Sequence, residues 1–249
     1  MNNPLYPGFL PVTRREMDAM GIKQFDFVYV TGDSYVDHPS FGVAIIGRVI
    51  EKLGFTVGII SQPDWRSTKD FTVYGRPKYA FLVTGGCIDS MVNHYTAAKK
   101  RRSDDAYTAG GKAGKRPDRC ATVYTRLAKQ AYPDMPVILG GLEASLRRFA
   151  HYDYWENKVR RSVLFDAQAD ILTYGMGEHA TLEIAARLAS GTPVGEITDV
   201  RGTCVAVPYP SICSYPHVEV PSFEDVAADK TAYAQANMVE YQEHDAAVG

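Results

Sequence analysis

The sequence is poor in cysteine and has no long apolar segment. Its 249 residues include 4 cysteines, which lie far apart and have no histidine at zinc-finger spacing. No apolar run approaches the roughly 18 residues of a membrane helix, and the N-terminus lacks the pattern of a secretory signal peptide. We therefore predict a cytoplasmic protein with reduced thiols and no metal site. The cysteines are Cys87, Cys120, Cys204 and Cys213.

The chain also has little net charge and lacks the common nucleotide-binding motifs. Its 27 basic and 29 acidic residues give a net charge of −2, so no overall field attracts nucleic acid or acidic membranes. No G-x-G-x-x-G follows the first apolar strand, and G-x-x-x-x-G-K-[ST] is missing altogether. These absences argue against a classical dinucleotide site and against a Walker-type site.

What the chain does have is an alternation of short apolar runs and amphipathic helices. Five runs predict strands at 25–30, 56–60, 79–83, 136–139 and 170–174. Helices are predicted after Pro39 and Ser40 up to Gly54, and at 118–131 and 178–190, with a further candidate at 88–100. This order predicts an α/β, Rossmann-like parallel sheet of about five strands with helices on both faces, in the flavodoxin-type order 2-1-3-4-5.

Segments at both ends flank this predicted sheet. We expect an N-terminal arm at 1–23 and place the domain boundary after residue 201. Residues 202–249 then form an extension, of which 223–248 is acidic and predicted to be helical. Because the extension has no closing core element, we expect the chain to be the front part of a longer protein.

Polar clusters follow four of the five predicted strands. They lie in TGDSYVDHPSFG (31–42), TGGCIDSMVNHY (84–95), GGLEASLRRFAHYDYW (140–155) and GMGEH (175–179). Ligands of open parallel sheets bind at this end of the strands, so we predict one shared crevice. Helix capping and glycine turns remain an alternative explanation for each cluster taken alone. The predicted crevice residues are Asp33, Ser34, Asp37, His38, Asp89, Asn93, His94, Glu143, Arg147, Arg148, His151, Asp153, Tyr154 and Glu178.

None of these residues receives a catalytic role from the sequence. Three of them, His38, His94 and His151, have side chains that can carry a proton near neutral pH. They could equally orient a substrate or tie loops together.

Two basic stretches allow a different function. Residues 99–119 carry eight Lys or Arg against three Asp, and residues 146–162 carry five against two, with several aromatic side chains. One hypothesis is a binding module for RNA or another anionic ligand, which requires one continuous exposed basic face. The alternative is a solvated loop followed by a helix with core aromatics. The proposed contact strip is Lys99, Lys100, Arg101, Arg102, Arg116, Arg119, Arg147, Arg148, Arg160 and Arg161.

Three long blocks, at 33–65, 85–119 and 137–178, resemble the N-terminal region of the YgiQ family of radical S-adenosylmethionine (SAM) proteins. The resemblance implies a parent enzyme whose C-x-x-x-C-x-x-C loop binds a [4Fe–4S] cluster and SAM, and which generates a 5′-deoxyadenosyl radical. No three cysteines of this chain have that spacing, so we expect no cluster here and no activity from the chain alone. The resemblance favours an accessory, substrate-recognising domain whose partner is the C-terminal radical SAM barrel.

A looser similarity links the chain to cobalamin-binding domains that precede such barrels. Their histidine-ligated members carry D-x-H-x-x-G, whereas Asp37 and His38 are adjacent here and Gly42 lies four residues beyond the histidine. Because other relatives bind cobalamin without a histidine ligand, a corrinoid-binding domain remains a third hypothesis.

Overall fold

A computed structural model describes residues 3–208 and 216–244. Its centre is a six-stranded sheet in the order β2-β1-β3-β4-β7-β8. The first five strands are parallel, and β8 pairs antiparallel with β7 at the edge. The strands are β1 (Phe27–Thr31), β2 (Val57–Ser61), β3 (Ala80–Thr84), β4 (Val137–Gly140), β7 (Ile171–Thr173) and β8 (Thr203–Val205). The Rossmann-like α/β fold is confirmed, and each of the five predicted strands is present.

Nine helices of more than one turn lie in the described ranges. They are α1 (Arg14–Ala19), α2 (Gly42–Lys52), α3 (Ser90–His94), α4 (Cys120–Ala131), α5 (Leu142–Leu146), α6 (Val163–Ala167), α7 (Glu178–Ala189), α8 (Phe223–Ala228) and α9 (Lys230–His244). No described helix is long and apolar enough to cross a membrane.

The strands are apolar throughout because both faces of the sheet are covered. On one face, Tyr29, Leu82 and Ile138 pack with α2 and α7. On the other face, Val30, Val83 and the neighbouring strand residues pack with α4 and α6. Side chains that alternate along a strand thus enter two separate cores.

Two segments differ from their predictions. The candidate helix at 88–100 is one short helix, α3, because Tyr95 is extended (φ −131°, ψ 151°) and pairs with Arg101 instead. The stretch 146–162 is not a basic helix with core aromatics. It contains an antiparallel hairpin of β5 (His151–Asp153) and β6 (Lys158–Arg160), in which His151 lies opposite Arg160.

The ends of the chain also take part in the fold. Leu10 and Met17, in the predicted N-terminal arm, are buried in the two cores. Strand β8 lies within the predicted extension, 202–249, so the sheet continues past residue 201. The domain boundary after residue 201 stays a prediction. Cys213 and the last five residues of the chain lie outside the described residues.

Candidate functional site

Two separate cavities open at the carboxyl end of the parallel strands. The first, the sheet cavity, has a volume of about 310 Å³ and lies between the starts of α2 and α7. The second, the hairpin cavity, has a volume of about 610 Å³ and lies between α3, the end of α5 and the β5-β6 hairpin. The four polar turns therefore do not form one shared crevice; they divide between two.

The sheet cavity has a floor built from aligned strand ends. Thr31 lies beside Thr84, Thr84 beside Gly140, and the next step of the register reaches Thr173. All four line the cavity together with Asp33 and Glu178, while its lining contains no lysine, arginine or histidine. The cavity is thus glycine- and hydroxyl-rich, with carboxylates as its charged groups.

Glycines at this rim are required by close packing. Gly141 has φ +85°, and a Cβ there would lie 2.2 Å from the Thr84 hydroxyl oxygen. Gly86 has φ +108°, and a Cβ there would lie 2.1 Å from an Asp33 carboxylate oxygen. The two glycine pairs therefore let neighbouring rim turns approach each other.

A buried guanidinium in the loop 99–119 holds two of the rim turns to that loop. Arg116 is fully buried; it pairs with Asp33 (3.0 Å) and Asp105 (3.1 Å) and donates a hydrogen bond to the Gly85 carbonyl (3.1 Å). Burial raises the pKa of Asp33, against the opposing effect of Arg116. Burial also raises the pKa of Asp105, but hydrogen bonds and Arg116 outweigh it and leave that pKa below its ordinary value.

Glu143 is a second buried carboxylate, and it fixes the starts of two helices. Its two oxygens accept backbone N–H groups of Ser90 in α3 (2.9 Å) and Ala121 in α4 (2.9 Å). Burial raises the pKa of Glu143, which these hydrogen bonds oppose. Its role in the structure is to position α3 and α4 beneath the rim.

His94 is buried in a network with an acid that the sequence did not single out. Its Nδ1 lies 2.6 Å from one Asp118 oxygen, and the Tyr95 hydroxyl donates to the other at 2.7 Å. Asp118 sits inside a stretch rich in basic residues, where no local pattern marks it as a partner. The same is true of Asp105, whose partner Arg116 lies in the same basic stretch.

The two carboxylates that line the hairpin cavity are each paired with an arginine. Asp89 caps α3 and forms an ion pair with Arg147. Asp153 pairs with Arg119 at 2.8 Å and accepts the backbone N–H groups of Trp155 and Glu156. These contacts hold the pKa of Asp153 below its usual range despite its burial. Each acid in the lining therefore already has an arginine as its counter-ion.

His151 supplies a neutral imidazole to the same cavity. Burial lowers the pKa of His151, and its Nδ1 lies 3.1 Å from the Phe149 carbonyl oxygen. Because a carbonyl can only accept, Nδ1 carries the proton and Nε2 is left as a hydrogen-bond acceptor.

The aromatic side chains of the cavity form a connected wall. The centres of the Tyr95 and Trp155 rings are 5.0 Å apart, and the centres of the Tyr154 and Trp155 rings are 5.4 Å apart. Tyr154 also donates its hydroxyl hydrogen to the Ala97 carbonyl (2.7 Å), which joins the hairpin to the segment after α3.

The predicted crevice residues are thus distributed over several places. Asp89, Arg147, His151, Asp153 and Tyr154 line the hairpin cavity, and Asp33 and Glu178 line the sheet cavity. Asn93, His94 and Glu143 are buried and line neither. Four others also line neither: Ser34 contacts Gln62 and Ala109, Asp37 pairs with Arg48, His38 is exposed, and Arg148 pairs with Glu240 of α9.

The continuous basic strip required by the RNA hypothesis is not formed. Arg116 is in the interior, which removes it from any surface. Five further members of the strip are engaged with acids, namely Arg119, Arg147, Arg148, Arg160 and Arg161. What remains exposed and basic is the segment 99–102, beside the hairpin cavity.

The described part of the chain does not fit a [4Fe–4S] cluster. Cys87, Cys120 and Cys204 are free and far apart in sequence, and Cys120 is fully buried. Within residues 3–208 and 216–244, no group of three or more His, Cys, Asp or Glu side chains could hold a metal ion.

Comparison with known proteins identifies the family. The family model described as Radical SAM N-terminal matches residues 9–249. The chain belongs to the Radical SAM N-terminal family. Its relatives in this family include the UPF0313 proteins of Clostridium botulinum (strain ATCC 19397 / Type A), 53% identical over 242 residues, and of Geobacter sulfurreducens, 56% identical over 228 residues. The predicted YgiQ-type resemblance is thereby confirmed.

This Radical SAM N-terminal chain is much shorter than those relatives. The Clostridium match covers 97% of the chain and 37% of the relative, and the Geobacter match covers 92% and 38%. Among solved structures, the chain is similar to the radical SAM methyltransferase TsrM from Kitasatospora setae, determined with tryptophan and a SAM analogue and also with cobalamin and a [4Fe–4S] cluster. The TM-score is 0.49 at 16% identity, over 73% of this chain and 28% or 27% of TsrM.

Proposed function

We propose that this chain is the substrate-recognition region of a radical SAM enzyme and that the hairpin cavity receives the substrate. In the longer protein, a C-terminal region would bind the [4Fe–4S] cluster and SAM, which supply the radical chemistry. The residues described here contribute binding and orientation. Membership of the Radical SAM N-terminal family and the greater length of the relatives support this division.

The observation that carries the proposal is the preformed hairpin cavity itself. Its volume of about 610 Å³ is within the range of small-molecule sites. Its charged walls are held by the Asp89–Arg147 and Asp153–Arg119 pairs, so little side-chain order has to be gained when a ligand binds. The cavity also opens at the end of the sheet where ligands of such folds bind.

Filling the cavity mouth tests the proposal in the full-length protein. Val92 lines the cavity and is 52% exposed, so Val92→Trp narrows the cavity without disturbing the core. Val73→Trp is the matched control, because Val73 is 43% exposed and lines neither cavity.

The readout is 5′-deoxyadenosine formation by anaerobically reconstituted protein, with and without a small-molecule cell extract. We expect the extract to stimulate the wild type and Val73→Trp. It should stimulate Val92→Trp at least about tenfold less, because the indole occupies space that the substrate needs; a tenfold loss corresponds to about 1.4 kcal/mol of binding free energy. Equal stimulation of both variants would overturn the proposal.

Corrinoid binding remains a prediction. His38 lies outside both cavities, and its Nδ1 accepts the Ser40 backbone N–H at 3.1 Å. A visible-absorbance titration of the protein with cobalamin tests it directly: a shifted corrinoid spectrum supports binding and an unchanged one excludes it.

A further inference from the structure

We infer that the hairpin cavity binds a ligand that combines a planar ring with a phosphate group, as a nucleotide does. The inference rests on the proposed function, because it names the class of substrate for the same cavity. It is carried by three features that lie together: a wall of aromatic rings, a cation that has no partner among the described residues, and a neutral histidine acceptor.

The wall of the cavity offers stacking surfaces. Tyr95, Tyr152, Tyr154 and Trp155 all line it, and the half-exposed rings of Tyr152 and Tyr154 keep part of their surface open to a ligand. A planar ring stacked on such a surface gains affinity whichever base it carries.

The charge of the cavity favours an anion. Both carboxylates of the lining are already paired with arginine, as described above. Arg102 also lines the cavity, and among the described residues its guanidinium has no hydrogen-bond or ion-pair partner. A phosphate would satisfy it with a charge-assisted, two-pronged contact.

Two further cations stand against the aromatic wall. The Lys99 ammonium lies 4.6 Å from the centre of the Tyr154 ring, and the Arg101 guanidinium lies 5.6 Å from the centre of the Tyr95 ring. The basic segment 99–102 therefore meets the same side chains that line the cavity. An anion at the mouth encounters positive charge from more than one side chain.

His151 offers a hydrogen-bond partner to the edge of the ligand's planar ring. Its Nε2 accepts a hydrogen bond when the imidazole is neutral, which suits an amino or N–H group on a heterocycle. The sheet cavity provides a contrast, because its charged lining groups are Asp33 and Glu178 and it contains no cationic side chain. The lining of the sheet cavity therefore offers an anion no cationic partner of the kind that Arg102 supplies in the hairpin cavity.

Tryptophan fluorescence can test this ligand class. The chain has 2 tryptophans, so Trp65→Phe leaves Trp155 as the reporter inside the cavity. The probes are the four ribonucleoside 5′-monophosphates, the corresponding nucleosides, ribose 5-phosphate and a single-stranded ten-residue RNA. Arg102→Gln removes the free cation, and Arg15→Gln is its control, since Arg15 is exposed and lines neither cavity.

We expect at least one monophosphate to quench Trp155 and to bind about tenfold more tightly than both its nucleoside and ribose 5-phosphate. Arg102→Gln should remove this advantage, and Arg15→Gln should keep it. If the RNA binds more tightly than every monophosphate, the ligand is a nucleotide within an RNA strand. If a monophosphate binds more tightly than the RNA, the ligand is a free nucleotide. The inference is overturned if no monophosphate quenches, or if none binds more tightly than its two fragments.

The outcome separates this inference from the proposed function. If no nucleotide binds but Val92→Trp still loses stimulation by the extract, the ligand class is wrong and the recognition role stands. If a nucleotide binds and Val92→Trp is stimulated like wild type, the ligand class stands and the recognition role is wrong.

Discussion

Replacing Arg116 by methionine leaves two buried carboxylates without their cation. Asp33 and Asp105 are each 1% exposed, and Arg116 contacts both within 3.1 Å. Removing one partner of a buried ion pair costs about 3–5 kcal/mol. Asp33 keeps the Cys87 N–H and Asp105 keeps the Tyr107 N–H, so we expect the lower end, a loss of about 3 kcal/mol in the free energy of unfolding at pH 7.

The loss should depend on pH in a defined direction. Arg116 lowers the pKa of both aspartates, so both pKa values rise in the variant. A carboxyl whose folded pKa exceeds its unfolded value destabilises the fold as pH rises through the folded pKa. The deficit of Arg116→Met should therefore be largest near neutral pH and shrink toward about pH 4, where protonation neutralises the carboxyls.

Urea denaturation followed by circular dichroism at the two pH values measures this difference. Arg15→Met is the control, because Arg15 is exposed and surface substitutions usually change stability by less than about 0.5 kcal/mol. A deficit below about 1 kcal/mol at pH 7, or an equal deficit at both pH values, would refute the reasoning.

Three further predictions concern the rim and the hairpin. Gly141→Ala should destabilise the fold by about 2 kcal/mol more than Gly54→Ala. Both glycines have positive φ, but a Cβ is obstructed only at Gly141, where it would meet Thr84. Equal losses of the free energy of unfolding in urea denaturation would contradict the close contact between Gly141 and Thr84. His151 should titrate below its ordinary value of 6.5 by NMR, and because its folded pKa is depressed, it should cost stability as pH falls below about 6.5; a pKa at or above that value would be inconsistent with its burial. Asp89→Ala should lower the free energy of unfolding by about 2–4 kcal/mol, because it removes the N-cap of α3 and the ion-pair partner of the half-buried Arg147. An unchanged melting temperature would argue against both roles of Asp89.

The sheet could be predicted from the sequence because its signals are local. Each parallel strand is a short apolar run, and the helices α2, α4 and α7 show apolar residues at helical spacing. The hairpin could not be found in this way. Its strands have three residues each, too few for a clear alternation, and its aromatic and basic residues suit a helix equally well.

The candidate site was predicted in part for a similar reason. Residues that follow a strand, such as Asp33, Asp89 and Glu178, are placed at the rim by topology alone. Which turns share a cavity depends on the hairpin and on loop contacts such as Arg116–Asp105. The sequence shows Arg116 as one of eight basic residues in a loop, and only the fold shows that it is buried.

The recognition role can be tested most directly by hydrogen transfer in the full-length protein. Reconstituted protein is incubated with SAM and a small-molecule extract from cells grown in heavy water, and the 5′-deoxyadenosine is analysed by mass spectrometry. We predict deuterium in the 5′-deoxyadenosine formed by the wild type and by Val73→Trp, and little or none with Val92→Trp. A substrate site in the hairpin cavity would be contradicted if Val92→Trp transferred as much deuterium as the wild type. It would also be contradicted if no extract gave deuterium transfer with the wild type.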